Sequence, residues 1–205
     1  TGAIDGMVIT AVESPRASIA TLARYFGFDA IESEGLITFA MKGRAPSIAL
    51  SHDDLVAPDQ GDILELTRGQ ETELPHALKW QVVRADGDFD AAQVEARRTT
   101  VDSTRINLDT FPLAVSLAEA ERQCNRQLAA TWAERERAAF KLPPSRLALD
   151  PSDVVSLRHD GRGLALRLNS VSDALARGIE AVRQDGRAYE VPPGAPRTTT
   201  PSTPA

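Results

Sequence analysis

Ser51-His52-Asp53 places the three residue types of a hydrolytic triad side by side. A working triad is assembled from distant segments, because each side chain must meet the next across a cleft. Consecutive residues cannot point at one another in that relay, so the tripeptide reads as a polar turn. His76 and His159 also fall beside turn signals, and no histidine stands at metal-ligand spacing from another or from Cys124. Cys124 is the single cysteine, which excludes an internal disulfide and a zinc site built on several thiolates. Asp86-Gly87-Asp88-Phe89-Asp90 opens with the alternating aspartates of a calcium loop. Such a loop needs glycine at its sixth position and a bidentate glutamate at its twelfth, where this chain has Ala91 and Arg97. Gly161-Arg162-Gly163 starts like a dinucleotide fingerprint, but the third glycine is missing and strand residues follow, so it reads as a hairpin turn. No nucleophile-elbow, phosphate-loop or zinc-protease helix pattern occurs. The expectation is a non-enzymatic protein with no catalytic, cofactor-binding or metal-ligating residue set.

Composition narrows the classes further. Aromatic residues make up 5% of the 205, too few for a sugar-binding platform of exposed rings, while 42% hydrophobic residues suffice for real cores. The net charge of −6 disfavours nonspecific binding to nucleic acid or anionic membranes. That charge is concentrated: residues 51–90 carry 3 basic and 10 acidic groups, against 4 and 5 in residues 1–50 and 16 and 14 in residues 91–205. The middle stretch is therefore either a solvated loop surface or a surface that repels a polyanion. No run approaches the roughly 18 apolar residues of a bilayer span, and no basic segment precedes an apolar one as in a signal peptide. The chain opens at Thr1 directly into apparent strand residues, as a segment of a longer protein would.

The elements that would position these residues are mainly strands. Met7-Val8-Ile9 reads as a short strand, and Ser14-Pro15 as a helix start with Ser as N-cap and Pro at the first helical position. Ile19, Leu22, Ala23 and Phe26 follow at helical spacing, and Gly27 ends the helix. Phe28, Ala30 and Leu36-Ile37-Thr38-Phe39 form a hairpin turned at Glu34-Gly35, so residues 1–50 make a small α+β unit. Ile63 to Thr67, Leu78 to Val82 and Arg105 to Leu108 are strand segments, while residues 91–98 fit either a short helix or a crossing segment. Ser116 and Glu119 fit a capping box, and Leu117, Ala120, Cys124, Leu128 and Trp132 mark the buried face of a long helix. The pattern extends that helix over about residues 116–140, near 37 Å at 1.5 Å per residue. Arg146 to Leu149, Val154 to Leu157, Leu164 to Leu168 and Ile179 to Val182 are further strands, separated by Asp-Pro and Asp-Gly turns. The fold class is α+β, mainly β: a small α+β unit over 1–50, then a β-rich region over 51–190 of barrel or sandwich type. Residues 191–205, rich in Pro and Thr, read as a linker to a further domain.

Two stretches, taken in order, resemble a known family. The first runs Asp5-Gly6-Met7-Val8-Ile9, Ser14-Pro15-Arg16, Leu22 to Ala30 and Gly35 to Phe39. The second runs Glu73-Leu74-Pro75, Asp86 to Asp90, Ala96-Arg97-Arg98, the long helix, Leu142 to Arg146 and Leu149 to Val155. Together they are similar to phage-type tail hub proteins, including the large "megatron" tail-tip proteins of gene transfer agents, over most of residues 1–190. The resemblance implies small hub β-barrels with α+β inserts, downstream of a TIM-barrel-like domain. It implies a homotrimer at the tail tip of a virion or phage-like particle, assembled in the bacterial cytoplasm and closing the distal end of the tail tube. Its neighbours would be the distal tail protein, the tape measure and tail-tip fibre or host-binding domains, with DNA passing through. It carries no catalytic residue to this chain. Two other classes remain open: a receptor- or carbohydrate-binding module, which would show exposed loop aromatics, and a cell-wall hydrolase, which would need a Cys-His pair or paired carboxylates in a cleft.

Overall fold

The computed structural model describes residues 3–9, 14–33, 35–58, 60–99 and 101–190. The linker expected at 191–205 lies outside them. Local signals set the first elements. Ser14 is extended, Pro15 opens helix α1 (Pro15–Phe26), and Gly27 closes it in the left-handed region at φ +63°, its N–H donating to the Ala23 carbonyl. Hairpin strands β2 (Phe28–Ser33) and β3 (Leu36–Met41) form a two-stranded sheet of their own. Upstream, among the described residues, only Gly6–Met7 (β1) joins a ladder; Val8 and Ile9, expected to extend it, are exposed.

A four-stranded sheet holds the first core. Its order is β1, β8 (Arg105–Val115), β6 (Pro75–Arg84) and β7 (Ala91–Arg97), with β6 and β8 parallel. Leu78, Trp80 and Val82 alternate inward and meet Phe111, Leu113 and Val115. Helix α2 (Leu117–Ala133) lays Ala120, Cys124, Leu128 and Trp132 across them, and α1 adds Tyr25. Residues 91–97 are neither helix nor crossing segment but a strand: Val94 and Ala96 bury against the helix while Glu95 and Arg97 face out, a period of two.

The second core lies on a six-stranded sheet ordered β4 (Ile48–Leu50), β10 (Val154–His159), β11 (Arg162–Asp173), β12 (Arg177–Arg183), β9 (Glu136–Leu142) and β5 (Leu64–Arg68). All its pairs are antiparallel except β4 with β10. Leu157, Leu166, Leu168, Ile179, Phe140 and Leu142 fill its inner face. The fold class is α+β and mainly β, but the sheets do not close into a barrel.

Two further expectations need correction. Helix α2 stops at Ala133, about 25 Å long, because Glu136–Leu142 is a strand. Ala138, Phe140 and Leu142 bury on one face there, paired on both sides by β12 and β5. Ladder pairing and burial outweigh the helix propensity of its Ala, Glu and Arg residues. Residues 146–149 are not a strand: Pro144–Arg146 is a 3-10 turn, and Leu149 plugs the second core from the following turn. Asp160 and Gly161 both have positive φ, 47° and 73°, giving the two-residue hairpin turn that links β10 to β11.

Candidate functional site

The side chains with chemical potential are dispersed into structural roles. Ser51 donates to Asp54 through both its N–H and its hydroxyl, each at 2.9 Å, and Arg146 donates to the other Asp54 oxygen at 2.9 Å. The bonds from Ser51, then that from Arg146, hold the Asp54 carboxyl below the usual carboxylate range. His52 turns away from both neighbours, its Nε2 3.0 Å from Nδ1 of His159. The tripeptide 51–53 is therefore a turn clipped to β10, not a relay. His76 Nδ1 donates to the Arg105 carbonyl at 2.9 Å. Cys124 is fully buried beneath β6, and burial pushes its thiol up to about 11. Trp132 donates to the Pro75 carbonyl at 2.9 Å, and Trp80 stacks edge-on against Phe111. Asp86 pairs with Arg84 in an exposed turn, and no group of three or more His, Cys, Asp or Glu gathers into a metal site among the described residues.

What the tertiary structure does bring together is an ion-paired joint. Arg167, its side chain only 8% exposed, donates to Asp29 at 2.9 Å and to Glu134 at 3.0 Å. Lys42 lies 3.9 Å from Asp29 and 3.7 Å from Glu134, and the Ser152 hydroxyl donates to Asp29 at 2.7 Å. This cluster ties the root of the hairpin, the end of α2 and the six-stranded sheet. Beside it, Gln184 receives the Gly43 N–H at 2.9 Å and donates to the Arg44 carbonyl at 2.8 Å. Gly43 sits at φ +86° against the Tyr189 ring, where a Cβ would fall 2.3 Å from Cγ, so only glycine fits. No local pattern announces this joint: Asp29 and Arg167 are 138 residues apart.

Two surfaces remain uncovered. The hairpin register puts Phe28 opposite Met41, Ala30 opposite Phe39, and Glu32 opposite Ile37, so these side chains share one face. Phe28 and Phe39 pack edge to face, yet Ile37 is 65% and Phe39 57% exposed. The other surface is a trough of about 620 Å³ at one end of the inner face of the six-stranded sheet. Leu66, Leu164 and Leu166 line it, and Arg68, Arg137, Arg162 and Arg183 surround it. The acidic middle stretch is partly neutralised in place: Asp54 by Arg146, Glu71 by Arg135 and Arg68, Asp86 by Arg84.

Comparison with known proteins identifies the class. A family model described as "Putative phage tail protein" matches residues 14–171, and the chain belongs to this phage tail protein family. A chain in the virion of a native gene transfer agent particle superposes with a TM-score of 0.86 at 28% identity, over 94% of this chain and 44% of that one. The tail protein from Neisseria meningitidis MC58 shares the fold at a TM-score of 0.60 and 14% identity, over 90% of this chain and 59% of its own. So does the 43 kDa tail protein of prophage MuSo2 from Shewanella oneidensis, at 0.57 and 12%, over 89% and 58%. The chain thus spans 44% to 59% of the length of these structures. No curated protein matches the sequence. The chain is a structural component of a phage-type tail.

Proposed function

We propose that the chain forms part of the hub at the distal tip of a phage-like tail, where three copies close the tube and border the path of DNA. The observation that carries this reading is the likeness to the gene transfer agent virion chain over 94% of this sequence. The ordered motifs of residues 5–39 and 73–155 support it. Assembly takes place in the bacterial cytoplasm, with neighbouring tail proteins as partners and no catalytic role. Asp53, Asp62, Glu65 and Glu73 have no basic partner among the described residues, so they keep their charge available. An anionic wall near the lumen leaves DNA hydrated and mobile, whereas a cationic one binds it through counterion release. Screening limits that effect to about 8–10 Å at physiological salt.

Labelling this segment with an antibody fragment on purified particles, followed by electron microscopy, tests the location. Label at the tail end far from the head is expected; label along the tube or at the head-proximal end overturns the hub reading. Asp53→Lys with Asp62→Lys should leave particles assembled but slow DNA delivery, most at low salt. Unchanged delivery removes the channel role.

A further inference from the structure

We propose that the β2–β3 hairpin of one copy docks in the arginine-surrounded trough of the next, making a head-to-tail contact between copies of this chain. Both halves of the contact are unpartnered in the single chain. A two-stranded hairpin is marginal by itself in water, and this one turns Ile37, Phe39 and Met41 outward on a single face. An apolar face of this kind marks an interaction site. The trough is its counterpart in shape. Strands β5 and β10 both line it although three strands separate them in the sheet, so the sheet curls around it. Its floor is aliphatic, and Leu66 at its edge is 44% exposed.

Charge selects the occupant. Arg68, Arg162 and Arg183 alternate onto the trough side together with Glu136, which pairs with Arg68 and Arg183, and Asp160 also lines it; Arg162 has no acidic partner among the described residues. Three guanidinium groups against two carboxylates leave the trough net positive in a chain whose net charge is −6. Residues 28–41 contain no Lys or Arg; Asp29 is spent in the joint, and Glu32 is exposed on the same face as Ile37 and Phe39. An apolar hairpin face with a free carboxylate fits an apolar trough with a free guanidinium, and such complementarity sets register as well as affinity.

Placement makes the contact propagate. The hairpin root is held by Arg167, which alternates with the inward Leu166 and Leu168 and so leaves the sheet on the side opposite the trough. Donor and acceptor surfaces lie on opposite faces, which is heterologous and closes as a ring when the rotation allows. The contact rests on the hub reading for the number of copies only.

The test uses the full chain in sedimentation velocity up to roughly 100 μM, with circular dichroism confirming that each variant folds. Ile37→Asp with Phe39→Asp disables the hairpin; Leu66→Asp with Arg162→Glu disables the trough; all four side chains are exposed. Each variant alone should weaken self-association about tenfold or more. An equimolar mixture should form a mixed dimer and stop there, because one intact hairpin meets one intact trough. Glu32→Arg combined with Arg162→Glu should recover association lost by Arg162→Glu alone. A monomeric wild-type chain, unchanged association in both variants, or no mixed dimer would each overturn the contact. None of these results moves the position of an antibody label on particles, so failure of the contact and failure of the hub reading are told apart.

Discussion

Replacing Arg167 with alanine separates the hairpin root from the six-stranded sheet without touching either apolar core. The guanidinium is buried and satisfies two carboxylates, Asp29 and Glu134, each of which is 28% exposed. Removing one partner of a buried ion pair generally costs about 3–5 kcal/mol, because the opposite charge is left uncompensated. Here Lys42 stays within 3.9 Å of both carboxylates and water reaches them, which places the cost at the low end, about 3 kcal/mol. With a urea dependence of about 2 kcal/mol per molar, the denaturation midpoint should fall by roughly 1.5 M. The same reasoning makes a second demand. Combining Arg167→Met and Lys42→Met with Asp29→Asn and Glu134→Gln removes all four charges and roughly keeps the volume, so it should regain most of the loss. Equilibrium urea unfolding followed by tryptophan fluorescence measures both. An Arg167→Ala change within about 0.5 kcal/mol of wild type, or a quadruple variant no better than the single one, refutes the joint as a source of stability.

Leu128→Ala should cost about 2–5 kcal/mol, since Leu128 is packed between α2 and the four-stranded sheet; a surface-like change in urea unfolding would remove it from the core. Asp54 has a folded-state pKa below its unfolded one, so its stabilisation holds above the ordinary carboxylate range and is lost as pH falls through the lowered value. Thermal melts of wild type and Asp54→Asn should accordingly differ at about pH 7 and converge as the pH falls below the ordinary carboxylate range. Cys124 runs the other way: burial raises its pKa to about 11, the unfolded thiol loses its proton first, and stability declines as pH rises above the ordinary thiol range. Native protein should also resist a thiol reagent near pH 8 until denaturant is added. Gly43→Ala should destabilise by about 1–3 kcal/mol through the strain of a positive φ, visible as a lower melting temperature, because the new Cβ meets the Tyr189 ring.

Elements whose signals are local were legible in the chain. Pro15 opens α1 and the left-handed Gly27 closes it, although the Ser14 side chain makes no capping hydrogen bond, and Asp160-Gly161 turns the β10–β11 hairpin because both residues accept positive φ. The start of α2 at Ser116 belongs with them, its hydroxyl accepting from the Glu119 N–H. Period-two burial in β6 and the buried helix stripe through Cys124, Leu128 and Trp132 were equally plain. The end of α2 was not, since Arg135 to Leu142 suits a helix until two neighbouring strands offer it a ladder. Residues 91–97 were ambiguous for the same reason: their strand state depends on β6 beside them and α2 above.

The sequence by itself determined the class of protein: an acidic chain with one cysteine, no assembled catalytic pattern, mainly short strands, and ordered packing motifs of a phage-type tail protein. Tertiary structure alone decided which groups meet. The parallel pairing of β4 with β10 and of β6 with β8 joins segments with no shared turn to announce them. His52 finds His159, Asp29 finds Arg167, and β5 faces β10 across a trough, each through contacts between segments far apart in the chain. Helix caps and turns are fixed by a few adjacent residues through backbone geometry, so one dimension suffices to read them. Ion pairs, curled sheets and uncovered faces depend on which distant strands share a ladder, and burial of the two cores settles that only when the whole chain has folded.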